Sequence, residues 1–189
     1  MRKREVFCCK NSCIVSLFNV KYKNMKRAFE VQRDEEIKIT NDNNFAMYEI
    51  LKKYFGYTEF RKGQKEIIEN ILLGKDLLGV LPTGAGKSVC YQVSALCLQG
   101  ITIVISPLIS LMQDQVKSLL EVGIQAAFIN STLKDFELQK IYSLAKNNFY
   151  KIIYVAPERL LSQDFLNFAI NSNIAMVTVD EAHCVSQWG

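Results

Sequence analysis

Eight residues, Leu81-Pro82-Thr83-Gly84-Ala85-Gly86-Lys87-Ser88, combine the types that hold a polyphosphate. Gly84 and Gly86, with Thr83 and Ala85 between and beside them, let the backbone curl until successive N–H groups point at one place. Lys87 supplies a cation for the outer phosphates, and Ser88 supplies a hydroxyl for Mg²⁺. One position departs from the full pattern: Leu81 stands five residues before Gly86, where a glycine is expected. A second reactive pair, Asp180-Glu181, closes the apolar run Met176-Val177-Thr178-Val179. Two carboxylates at the end of such a run are expensive to bury without a partner. A bound Mg²⁺ is one partner, held by Asp180 directly or through water. Glu181 is then placed to orient or deprotonate an attacking water. Blander alternatives are a tight turn with an incidental lysine, and an acidic pair complementing a helix dipole.

Both groups need elements to aim them. Leu77 to Leu81 is an apolar run that reads as a buried parallel strand, and Val89 to Leu98 reads as a helix. Strand, glycine-rich turn, Gly-Lys-Ser and helix is the phosphate-binding arrangement. Upstream, Phe45, Tyr48, Leu51 and Phe55 recur at helical spacing, with Asn44 as cap and Gly56 as stop. A second helix follows Gly63 and ends near Gly74. Downstream, the β-branched run Ile101 to Ile105 reads as a strand, and Ser106-Pro107 opens a helix to about Val122. Ala126 to Ile129 is a short strand. A helix follows from about Thr132 to Lys146, then a strand over Lys151 to Val155. One or two helices cover Pro157 to Phe168, and Ala175 to Val179 is the strand that ends at Asp180. Strand and helix alternating in this way predict an α/β fold with a doubly wound parallel sheet. Ligands of such sheets bind at the C-terminal edge of the strands, where both reactive groups fall.

The chain has 189 residues with ordinary soluble composition, and no run of about 18 apolar residues predicts a membrane span. Net charge is +4. Residues 1–45 carry the whole excess, with ten Lys/Arg against six Asp/Glu, while residues 46–189 balance at thirteen of each. Residues 1–44 therefore read as a basic, flexible extension ending in a polar linker, Thr40-Asn41-Asp42-Asn43-Asn44, and residues 45–189 as one lobe. Val6-Phe7-Cys8-Cys9 behind Met1-Arg2-Lys3-Arg4 has the outline of a signal peptide, but Lys10, Asn11 and Ser12 interrupt it. Cys8, Cys9 and Cys13 lack a complementary second cluster, and His183 is the sole histidine. Reduced, partly buried cysteines in a cytoplasmic protein are expected.

Taken together, the blocks resemble superfamily 2 helicases, and the RecQ family among them. Phe55-Gly56-Tyr57-Thr58-Glu59-Phe60-Arg61-Lys62-Gly63-Gln64 is similar to that family's adenine-reading motif. Leu81 to Ser88, continuing Val89-Cys90-Tyr91-Gln92, resembles its phosphate loop. Val104 to Gln115 resembles motif Ia, Tyr154 to Leu160 motif Ib, and Val179 to Gly189 motif II with its aromatic-rich loop. The resemblance implies a RecA-like phosphate-loop NTPase lobe using ATP and Mg²⁺. It implies 3′-to-5′ DNA unwinding in repair or recombination, on single-stranded or forked DNA, with no membrane partner. Gln64 can pair with both N6 and N7 of adenine, and Tyr57 and Arg61 can stack on the ring. Lys87, Asp180 and Glu181 are the implied catalytic residues, with Ser88 and Asp180 on the metal. Ser106 and Arg159 fall in motifs that touch the DNA backbone; His183, Gln187 and Trp188 fall where DNA binding is coupled to hydrolysis. A second RecA-like lobe with an arginine finger is expected beyond Gly189. Two other classes stay open: a phosphate-loop NTPase acting on something other than nucleic acid, and a nucleotide-binding fragment without catalysis.

Overall fold

A computed structural model describes residues 4–9, 41–82 and 84–181. Its strands are β1 (Arg4–Cys9), β2 (Leu77–Pro82), β3 (Ile101–Ile105), β4 (Ala126–Ile129), β5 (Ile152–Val155) and β6 (Ile174–Val179). They form one sheet in the order β2-β1-β6-β3-β5-β4. The pairs β3–β5, β3–β6 and β4–β5 are parallel. Helices α1 (Asn41–Phe55), α2 (Gln64–Leu72), α3 (Lys87–Cys97) and α4 (Ile109–Glu121) precede β4 in the chain. Helix α5 (Asp135–Lys146), a 3₁₀ turn (Pro157–Leu161) and α6 (Gln163–Ile170) follow it.

The alternation of side chains along the central strands divides the core in two. Val104, Tyr154 and Met176 pack with Leu51, Ile68, Tyr91 and Met112 from α1 to α4. Ile103, Ile153 and Val177 pack with Leu138, Phe165 and Phe168 from α5 and α6. With helices against both faces, every residue of β3 and β5 is buried, which is why both read as unbroken apolar runs. Local chemistry sets the helix ends. The Ser162 hydroxyl accepts from the Phe165 N–H at 3.3 Å, and the Lys134 N–H donates to the Glu137 carboxylate at 2.9 Å.

Three boundaries differ from the sequence pattern. Helix α1 starts at Asn41, so Asn44 lies within it. Helix α4 starts at Ile109, with Leu108 as its extended N-terminal cap residue. The largest difference is β1, inside the stretch expected to be a flexible extension. It pairs antiparallel with β2 from Arg4↔Pro82 to Cys9↔Leu77, and with β6 through Cys8↔Val179 and Cys9↔Thr178. Val6-Phe7-Cys8-Cys9 is a short β-prone run, and the same apolarity that outlined a signal peptide suits a central strand. Cys13, Thr83 and residues 182–189 lie outside the described residues.

Candidate functional site

Strand β2 brings Leu81 and Pro82 to the edge of the sheet, and the chain turns into α3 through Gly84 (φ 78°) and Gly86 (φ 79°). Both angles lie in the left-handed region that side chains resist. At Gly86 space forbids one as well: a Cβ there would stand 2.6 Å from Nε2 of Gln64. The Ala85 N–H donates to the Pro82 carbonyl at 3.0 Å, which closes the turn.

Lys87, the first residue of α3, is only 5% exposed. Its Nζ lies 2.7 Å from Oδ1 of Asp180 and also pairs with Oε1 of Glu181. Asp180 is fixed where β6 ends, its N–H donating to the Ile105 carbonyl at 2.8 Å. Glu181 follows in left-handed backbone (φ 56°), and its N–H lies 3.2 Å from Asp180 Oδ1. Burial acts to lower the Lys87 pKa, but Asp180 and Glu181 outweigh it and hold the ammonium above its ordinary value. Burial pushes the Asp180 carboxyl up, against the pull of Lys87. One ammonium shared by two carboxylates can exchange partners: Lys87 can turn to an anion if a cation takes over Asp180.

The donors at hand suit Mg²⁺. Ser88 and Asp180 offer a hydroxyl and a carboxylate, both hard oxygens, and Mg²⁺ takes one or two such groups while keeping waters and phosphate oxygens. Among the described residues no cluster of three or more His, Cys, Asp or Glu occurs, so a cage built for a softer or larger ion is not found there.

Tyr57, Arg61 and Gln64 gather beside the loop, lining a pocket of about 140 Å³ with Glu59, Gly86 and Val89. Gln64 is 3% exposed. Its Nε2 donates to the carbonyls of Ala85 at 2.9 Å and Gly86 at 3.0 Å, and its Oε1 accepts from the Arg61 N–H at 2.9 Å. The Arg61 guanidinium donates to the Gly84 carbonyl at 2.6 Å and sits 5.9 Å from the centre of the Tyr57 ring. In this state the Gln64 amide braces the loop rather than standing open to a base.

The remaining candidates are less gathered. Ser106 is buried where β3 ends, its N–H on the Val155 carbonyl at 3.1 Å and its Oγ without a hydrogen bond. Arg159 is half-buried and donates to the Asn130 carbonyl at 2.9 Å. Thr83, His183, Gln187 and Trp188 lie outside the described residues. Sequence reasoning passed over Asn130, whose Oδ1 accepts from Thr132 N–H and hydroxyl at 3.1 and 2.9 Å. It also passed over the buried polar contacts among Tyr91, Gln92, Gln115 and Tyr154. The available signal was a tyrosine within the apolar run Ile152–Val155 and a glutamine on the inward face of α3. Cys90 and Cys97 are free thiols, as expected, and burial pushes them up to about 12 and about 11.

Comparison with known proteins extends this picture. A family described as DEAD/DEAH box helicase matches residues 61–189. The chain is 47% identical over 141 residues to "ATP-dependent DNA helicase RecQ" of Pasteurella multocida (strain Pm70), covering 75% of this chain and 22% of that protein. It is 48% identical over 141 residues to the protein of the same name from Bacillus subtilis (strain 168), covering 74% of this chain and 24% of that one. Similarity reaches "RecQ-like DNA helicase blm-1" of Caenorhabditis elegans, 41% over 155 residues, 78% of this chain and 16% of the relative. The chain thus spans less than a quarter of the length of these relatives. No described helix is long and apolar enough to cross a membrane.

Proposed function

Because the chain belongs to the DEAD/DEAH box helicase family, we propose that it is the ATP-binding lobe of a RecQ-type DNA helicase. The whole protein then engages single-stranded or forked DNA and unwinds duplex 3′ to 5′, on chromosomal DNA in the cytoplasm. One observation carries the reading: Lys87 of the phosphate loop is in direct contact with Asp180 and Glu181 at the end of β6. Two stretches that lie 93 positions apart thereby meet as one charged site.

The chemistry follows from that contact. Lys87 leaves the carboxylates for the β- and γ-phosphates. Asp180 and Ser88 are then free to hold Mg²⁺, which neutralises charge on the phosphate oxygens when bound. Glu181, released from Lys87, can accept a proton from the attacking water. Tyr57 and Arg61 offer faces for the adenine ring, and Gln64 reads its edge once its amide turns from the loop carbonyls. In this reading the opposing face and its arginine come from a second RecA-like lobe. Without them turnover falls by about 10³–10⁵, so this chain alone binds ATP weakly, hydrolyses it slowly and unwinds nothing.

The test is titration with Mg²⁺–ATP and Mg²⁺–GTP, then ATPase assays with and without single-stranded DNA. ATP should bind better than GTP, and Gln64→Ala should erase the difference. Equal affinities for both nucleotides in the unmodified chain overturn the adenine reading. Fast DNA-stimulated turnover by this polypeptide overturns the need for a second lobe. A second reading, a nucleotide-binding element without turnover, is favoured by the engagement of Glu181 with Lys87, which occupies the proposed base.

A further inference from the structure

A row of polar side chains runs from the phosphate loop into the core. Tyr91 is fully buried and lies three residues after Ser88 on α3, on the same side of the helix; burial pushes its phenol pKa up, and the Ser88 hydroxyl acts to lower it. Its hydroxyl lies 3.4 Å from that of Tyr154 on β5. Gln92 Nε2 donates to the Tyr154 oxygen at 3.1 Å and to Oε1 of Gln115 on α4 at 2.8 Å. The Tyr154 hydroxyl also lies 3.5 Å from Gln115 Oε1. Around these groups stand Val93, Val104, Met112 and Met176, so phenylalanine and leucine would fill the space without polar atoms to satisfy. Three elements, α3, β5 and α4, contribute to one row that begins at Ser88 and ends at Gln115.

We propose that Tyr91, Tyr154, Gln92 and Gln115 form a positioning relay that orients the Ser88 hydroxyl and carries its state to α4. The proposal rests on Ser88 being a Mg²⁺ ligand. The row has two polarities, since either tyrosine can donate to the other. With Ser88 free of metal, Tyr154 can donate to Tyr91 and Tyr91 to Ser88. When the Ser88 oxygen faces a cation, its hydrogen must point away, and Tyr91 is the acceptor beside it. Tyr91 then donates to Tyr154, and Tyr154 turns its hydrogen to Gln115 Oε1. Hydrogen bonds in such chains polarise one another, so the row switches as a unit. Gln115 gains a second donor beside Gln92, and α4 is held more tightly to β5. Burial pushes the Tyr154 phenol up to about 12, so it keeps the hydrogen that the relay needs at neutral pH.

The experiment uses ADP, so that turnover plays no part, and the whole 189-residue chain. Calorimetry gives ADP affinity in Mg²⁺ and in EDTA for the unmodified protein, Tyr91→Phe, Tyr154→Phe, Gln115→Leu and Gln115→Glu. Hydrogen exchange read by mass spectrometry follows residues 109–121. Tyr91→Phe should leave affinity in EDTA unchanged and shrink the gain from Mg²⁺ about three- to tenfold, the worth of one hydrogen bond. Mg²⁺–ADP should protect α4 in the unmodified protein, and Tyr154→Phe and Gln115→Leu should lose that protection. Gln115→Glu keeps an acceptor for Gln92 and should retain it. Lower melting temperatures with the Mg²⁺ gain and α4 protection intact would make the row a structural filler and overturn the relay. If Tyr91→Phe does not fold, Gln115→Leu at the half-buried far end decides the question on the same two readouts. No gain from Mg²⁺ in the unmodified protein fells the reading of Ser88 itself, and the relay with it.

Discussion

The two sides of the sheet are built differently. From β6 to β4 all strands run parallel, and helices cover both faces. At the other side, β2 buries Gly79 and Leu81 on one face and exposes Leu78 (65%) and Val80 (48%) on the other. Its ladder partner is β1, which runs against every other described strand. The candidate site straddles this seam: Asp180 and Glu181 come from the rigid side, while Lys87 and Ser88 come from the lightly covered one. Site geometry therefore depends on how firmly β1 joins β2 to β6, as well as on the loop itself.

The largest effect expected lies in the parallel half. Phe165 is fully buried against Phe168, with ring centres 5.8 Å apart. Phe165→Ala should cost about 3–5 kcal/mol, read as a shifted urea midpoint with one cooperative transition. A separate early transition would mean that the two sides unfold apart.

Next comes the charged contact across the seam. Lys87→Ala strands a buried carboxylate, and should cost about 3 kcal/mol, the low end for a broken buried pair because Glu181 remains within reach of water. Unchanged stability would show that the pair does not join the sides. The pH dependence has a definite sign. The folded pKa of Lys87 lies above 10.5, so its contribution is complete below that value and is lost as pH rises through the folded one. The stability gap between the unmodified protein and Lys87→Met should stay level to pH 9.5 and close only above about 10.5.

Removing residues 1–9 takes away the strand between β2 and β6. A loss of about 1–3 kcal/mol is expected, with fast amide exchange in residues 77–82 and persisting protection in β3 and β5. Exchange in β2 that stays slow would show that the strand stands without β1. The smallest effect belongs to Leu78→Ala, within about 0.5 kcal/mol, unless the exposed face of β2 is covered by something in solution.

The same contrast explains what the sequence could reveal. Ile101 to Ile105 and Ile174 to Val179 are strands shielded on both faces, and such strands announce themselves as apolar runs. Gly84 and Gly86 announce the turn, since few other residues accept its backbone. By contrast β1 is six residues in a basic, polar context, and nothing local says that its partners lie at Leu77–Pro82 and Val179. The grip of Gln64 on Ala85 and Gly86 was hidden too, because an amide that can read adenine can equally read two carbonyls. The burial of Ser106 could not be read either, because serine before proline says nothing of how the ends of β3, β5 and β6 pack around it. Thr83, His183, Gln187 and Trp188 stand as sequence readings.

The position of β1 also bears on how the chain reaches this structure. Cys8 lies beside Val179, so β1 is secured on one side only when β6 has been made. Contacts so distant in sequence form late and slow the search for the native state. On a ribosome, β1 can pair with β2 once β2 emerges, but its other edge stays open until β6 is made. That interval exposes a strand edge to other chains. Folding yield should therefore fall with protein concentration, and a strand supplied in trans with the sequence of residues 4–9 would compete for the same gap.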